Sequence, residues 1–152
     1  MKYLSIILSG LFLFGCRGKL PKTNYVYYNN PDDAKRIVAK NVKLPSEILE
    51  LNFIEYKITL NNTRVPGPCD YKSYLRIKVP IDDVEKWVSS LSPPYSNSTA
   101  YAVPLTKQEW WISENDFKSK TLYETAKYFN CFNGWLCADK INGYIYAYIF
   151  TR

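Results

Sequence analysis

A chain of 152 residues, 47% of them hydrophobic, is long enough for one domain with its own core and too short for several. Histidine is absent, which excludes Ser-His and Cys-His nucleophile pairs and removes the commonest metal ligand. The 20 basic and 14 acidic residues leave a net charge of +6. That mild excess suits solubility or an anionic envelope surface, and it is not read as a nucleic-acid footprint.

The chain opens with Lys2 and a nearly unbroken apolar run from Tyr3 to Phe14. The run is shorter than the ~20 residues needed to span a bilayer, and it reads as the core of an export signal. It ends in Leu13-Phe14-Gly15-Cys16. This resembles the lipobox of bacterial lipoproteins, with Phe14 where a smaller residue is usual. The resemblance implies that Cys16 takes a diacylglyceryl group and becomes the first residue after cleavage. Two or more acyl chains hold a protein stably at a membrane. Arg17 stands where retention in the inner membrane usually needs Asp, so the resemblance implies the periplasmic face of the outer membrane. Residues 1–15 are thus expected to be a signal peptide, and residues 16–30 a lipidated Cys and tether. Residues 31–152 are expected to form the globular domain.

In that domain, Asn30-Pro31-Asp32-Asp33 is expected to start a short helix, with Asn30 as cap and the aspartates facing the positive end of its dipole. Leu51 to Leu60 reads as a strand with Ile54, Tyr56 and Ile58 opposite Glu55, Lys57 and Thr59. Asp70 to Val79 alternates more cleanly still. Tyr71, Ser73, Leu75 and Ile77 face one way, and Lys72, Tyr74, Arg76 and Lys78 form a basic face expected to meet solvent. After Pro80, Val84, Trp87, Val88 and Leu91 fall at i, i+3, i+4 and i+7, the stripe of an amphipathic helix led by Asp82-Asp83. Ser92 to Glu109 lacks periodicity and is longer than most loops. It leads to Trp110 and Trp111, then to Ser113-x-x-Asp116, which resembles a capping box.

Lys127 to Phe132, Trp135 to Ala138 and Tyr144 to Thr151 read as a β-meander, with Asn133-Gly134 and Asn142-Gly143 at its turns. Tyr144, Tyr146, Tyr148 and Phe150 share one face of the last strand opposite Ile145, Ala147 and Ile149, the pattern of a central strand. The expected fold class is α+β. It is a single small domain with a mainly antiparallel sheet, one clear amphipathic helix packed on it and a C-terminal meander.

Cys69, Cys131 and Cys137 remain once Cys16 is assigned to lipid. A three-residue loop at Asn133-Gly134 would set Cys131 opposite Cys137, whereas a two-residue loop would pair Cys131 with Leu136. The bridge between Cys131 and Cys137 is the one expected, contributing about 2 kcal/mol, with Cys69 as the odd thiol. Asp32-Asp33 and Asp82-Asp83 are read as helix-start charges and not as acid–base pairs. No phosphate-binding glycine loop or calcium loop is present, so no catalytic residue, metal or cofactor is expected. Trp110 and Trp111, beside the long loop, are the candidate partner-binding residues.

The spacing of a basic strand, an amphipathic helix and a later Trp-bearing hairpin loosely resembles uncharacterised small bacterial envelope proteins, a likeness that transfers no site. The function expected is that of a lipid-anchored, non-catalytic binding protein of the cell envelope. Its partner would be a protein such as a toxin, a lytic enzyme or an assembly component. The alternatives are an envelope hydrolase whose carboxylates converge only in the fold, and a structural accessory subunit. Growth with labelled fatty acid is expected to label the chain, and Cys16→Ser to abolish the label. Persistent labelling of that variant would place the anchor elsewhere.

Overall fold

The computed structural model describes residues 22–39, 42–59, 70–131 and 133–151. The stretch expected to be a signal peptide, Cys16 and Cys69 lie outside the described residues. Among those residues no helix is long and apolar enough to cross a membrane.

The alternating stretches form the expected strands. β2 (Glu50–Thr59) and β3 (Asp70–Lys78) pair antiparallel, with Phe53 opposite Leu75 and Glu55 opposite Ser73. β1 (Lys22–Tyr28) pairs with β2 as an edge strand. Its stretch was expected to belong to the tether. It joins the sheet because Tyr25, Val26, Tyr27 and Tyr28 favour extended backbone and Tyr28 stacks on Phe53 at 5.6 Å. β4 (Leu122–Tyr123), β5 (Gly134–Asp139) and β6 (Tyr144–Phe150) complete an antiparallel sheet of order β1-β2-β3-β6-β5-β4. The domain is therefore α+β, with a C-terminal meander of β4, β5 and β6.

Helices cover one face of this sheet. A 3-10 turn at Pro31–Asp33 leads into α1 (Ala34–Ile37), and the Asn30 side chain caps it by accepting from Asp32 N at 3.0 Å. A second such turn at Ile81–Asp83 leads into α2 (Val84–Val88). Trp87, 1% exposed, packs with Val84 and Val88 against Leu51, Leu75, Ile77, Leu136 and Ile145. Each such side chain stabilises by ~1.5–3 kcal/mol when buried. On the opposite face, α3 (Glu114–Lys118) begins at Ser113, whose hydroxyl accepts from Asp116 N at 3.1 Å, as a cap should.

The stretch expected as a strand from Lys127 onward is not one over its described residues, 127–131. Its first residues belong to α4 (Ala126–Phe129), which ends at Asn130 in the left-handed conformation. Tyr128 fixes this helix, its ring 5.2 Å from Trp87 and its hydroxyl donating to Trp87 O at 2.8 Å. Thr125, fully buried, donates to Cys131 O at 2.6 Å and closes the turn that follows. Asn133-Gly134 is accordingly no hairpin turn but the entry to β5. Asn142-Gly143 does turn the chain, between β5 and β6, with Gly143 N donating to Asp139 O at 2.9 Å.

Gly134 has a φ of +125°, and a Cβ there would stand 1.9 Å from the Tyr148 carbonyl oxygen. No side chain fits without moving β6 backbone. Gly134→Ala is expected to destabilise the domain by roughly 3 kcal/mol or more, read as a lower urea midpoint. A variant as stable as the wild type would contradict this register at the start of β5.

Candidate functional site

The second face of the sheet is aromatic. Ile54 and Tyr56 on β2, Tyr74 and Arg76 on β3, Tyr146, Tyr148 and Phe150 on β6, and Trp135 on β5 lie side by side there. The basic face of β3 is thus covered rather than solvated. Tyr74 is buried, and Arg76 donates to Asn52 Oδ1 at 2.7 Å with its guanidinium 4.6 Å from the Tyr144 ring centre. Its cover is the irregular segment 92–112, with one 3-10 turn at Ser96–Ser98, together with α3.

An irregular segment over an apolar face must satisfy its own backbone carbonyls. Here the aromatic side chains do so. Trp135 Nε1 donates to Ala100 O at 3.0 Å, Trp111 Nε1 to Ala102 O at 2.8 Å, and the Tyr74 hydroxyl to Val103 O at 2.9 Å. Tyr56 bonds the Thr106 hydroxyl at 2.7 Å, and Tyr101 donates to Ile112 O at 2.8 Å. Burial raises the pKa of Tyr74, and it pushes that of Tyr146 up to about 12. Both phenols stay protonated at neutral pH, and with Tyr74 persists its donor to Val103 O.

The two tryptophans singled out in the sequence belong largely to this layer and not to a strand. Trp111 packs edge-on against Tyr74 at 5.2 Å and Tyr146 at 5.9 Å, and lies 5.7 Å from Trp135. Trp110, half-buried, meets Trp111 edge-on at 5.8 Å, and its enclosed indole N–H has no acceptor among the described residues. What the loop presents outward is Val103 and Leu105, each 60% exposed on either side of the buried Pro104. Beside them runs an open groove of about 290 Å³, lined by Tyr101, Val103, Pro104, Lys107, Gln108 and Trp111. The sequence signal that identified this segment was its length and its tryptophans. The exposed aliphatic pair was missed because Val103 and Leu105 carry no periodicity.

The helical face holds a second pocket, of about 200 Å³. α2 and α4 cover this face only as far as the rung Phe53–Leu75–Ala147. The next rung is Val26–Glu55–Ser73–Ile149, and the one beyond it brings Lys57 opposite Tyr71. Ser73, 3% exposed, donates to Glu55 Oε2 at 3.1 Å, and Lys57 Nζ lies 3.7 Å from Glu55 Oε1. Arg36 and Ile37 of α1 and Phe129 of α4 form the wall. Burial and then the adjacent Cys131 thiol raise the Tyr71 pKa. Reading the strands one at a time hid this pocket. It is visible only as a break in alternation, with Glu55 following Phe53 and Ser73 preceding Leu75.

The expected bridge between Cys131 and Cys137 is not present; both are free thiols. Without the Asn133-Gly134 hairpin they do not face each other. Cys131 Sγ lies 3.5 Å from Phe150 O, whereas Cys137 pairs with Tyr146. Those two β6 residues are separated by roughly 13 Å of strand, beyond the reach of a disulfide. Among the described residues no group of three or more His, Cys, Asp or Glu side chains stands together as a metal site would require.

No family model, curated protein or solved structure matches the chain.

Burial pushes the Cys137 thiol up to about 12, while Cys131 is partly exposed. The native chain treated with iodoacetamide at pH 8 is expected to be modified at Cys131 and spared at Cys137, with both modified after unfolding. Peptide mapping reads the outcome. Equal labelling of the two, or recovery of a linked pair, would overturn the arrangement.

Proposed function

We propose that this chain is a lipid-anchored, non-catalytic binding protein of the bacterial envelope. It is held through Cys16 at the periplasmic face of the outer membrane and engages a protein partner through the outer surface of segment 100–112. The observation that carries this reading is the exposed pair Val103 and Leu105 on a loop whose carbonyls are already bonded, those of Ala100 and Val103 to the sheet beneath and that of Ala102 to the loop's own Trp111. Ordering a loop on binding costs ~0.5–1.5 kcal/mol for each immobilised side chain, and a loop pinned beforehand avoids much of that cost. Trp111 would then act as the rigid floor of the groove, with half-buried Trp110 packed edge-on against it and the aliphatic pair making the contact.

A hydrolase of the two-carboxylate type needs carboxyl groups about 5–9.5 Å apart across a cleft. Among the described residues lining the pocket on the helical face, Glu55 is the one carboxylate, and its oxygens are engaged by Ser73 and Lys57. No specific observation favours that alternative or a structural subunit over binding.

The test joins binding to stability. The double variant Val103→Asp, Leu105→Asp changes only exposed side chains and is expected to melt within a few degrees of the wild type. Cross-linking in native envelopes, read by mass spectrometry, is expected to lose the wild-type partner by roughly tenfold or more. Undiminished cross-linking to the same protein would refute the reading.

A further inference from the structure

From the pocket on the helical face, which lies opposite the loop and is independent of it, we infer a binding site for a neutral, polyhydroxylated ring: a single sugar residue. Four features carry this inference.

The first is size. At about 200 Å³ the pocket is below the ~300–1,000 Å³ that encloses drug-sized ligands, which fits one ring and little more.

The second is charge. Lys57 lies 3.7 Å from Glu55, and Arg36 lies 3.3 Å from Asp33. Each cation at the pocket already has its counter-ion, so neither an anion nor a cation meets a net opposite field.

The third is the mixture of donors and acceptors on a rigid floor. A carboxylate offers about four lone-pair sites, of which buried Ser73 takes one on Oε2 and Lys57 stands near Oε1. The remaining acceptor capacity, the Lys57 ammonium and the Tyr71 hydroxyl together match vicinal hydroxyls, which donate and accept at once. Ser73 is buried between two central strands, and its bond across the rung fixes the Glu55 carboxylate in position.

The fourth is the apolar surround. Val26, Ile149, Phe129 and the Tyr28–Phe53 stack border the polar rung and match the C–H face of a pyranose. The polar rung lies where the helices stop covering the sheet, so these groups stay open to solvent on one side. An open pocket of this size implies weak affinity for a single residue, on the order of millimolar.

Saturation-transfer NMR on the full-length chain, in a detergent without a sugar headgroup, tests the assignment. The probes are methyl glucoside, methyl galactoside and N-acetylglucosamine, with choline and inorganic phosphate as charged competitors. Saturable transfer to at least one sugar is expected, displaced by neither competitor. It should weaken by about tenfold in Glu55→Ala and fall in Lys57→Ala, whose side chain is exposed and whose fold is not at risk. Ile141→Ser, at the exposed β5–β6 turn, should bind as the wild type does. Absence of saturable transfer to all three sugars would overturn the proposal. So would displacement by choline or phosphate at equal concentration, or wild-type binding in Lys57→Ala and in a folded Glu55→Ala.

Discussion

β6 pairs with β3 on one side and β5 on the other, and most of the structure follows from that double pairing. A strand in this position has no edge, and all but the ends of its run from Tyr144 to Phe150 are buried. Both sheet faces must therefore be covered over the same stretch. The helical face receives Ile145, Ala147 and Ile149, and the other receives Tyr146, Tyr148 and Phe150. Because the two sets differ in chemistry, the two covers differ as well.

On the aliphatic side three short helices suffice. They satisfy their own backbone, and α2 needs only to direct Val84, Trp87 and Val88 inward. On the aromatic side the cover is mainly an irregular segment that lacks the regular backbone bonds of a helix. Its carbonyls would cost about 1–3 kcal/mol each if enclosed without a partner. Indole and phenol groups meet that demand, Trp135 and Tyr74 from the sheet and Trp111 from within the segment, aiming their donors at consecutive parts of one loop. Tryptophan and tyrosine combine a large apolar area with a single donor, and such an interface needs both. The salt bridges contribute far less. Lys107–Glu109 and Lys118–Glu114 lie in solvent, where water and salt screen such pairs.

The same division sets the two candidate surfaces. The loop, held from beneath, turns Val103 and Leu105 outward beside a shallow groove. The helices, being short, leave the far end of their own face open, and there the rung of Glu55 and Ser73 replaces aliphatic packing. Each surface is the boundary of one of the two covers, which explains why they lie on opposite sides of one sheet.

The sequence by itself determined the strands β2, β3, β5 and β6, the helix around Trp87 and the caps at Asn30 and Ser113. These depend on period, on proline and on bonds within three residues, all of which are local. It also suggested β6 as a central strand, because neither of its faces is polar. It could not determine which faces meet. Ile54 with Tyr56, and Ser73 with Leu75, each read as a core side, yet the register places them on opposite faces of the sheet. Asn133-Gly134 has a hairpin's composition, but Tyr128 bonded to Trp87 O and Thr125 bonded to Cys131 O hold the preceding residues in a helix. That choice also removed the geometry on which the disulfide depended. The pocket at Glu55 and the anchoring role of Trp111 likewise arise from residues far apart in the chain. Only the pairing of strands, which fixes who stands opposite whom, brought them together.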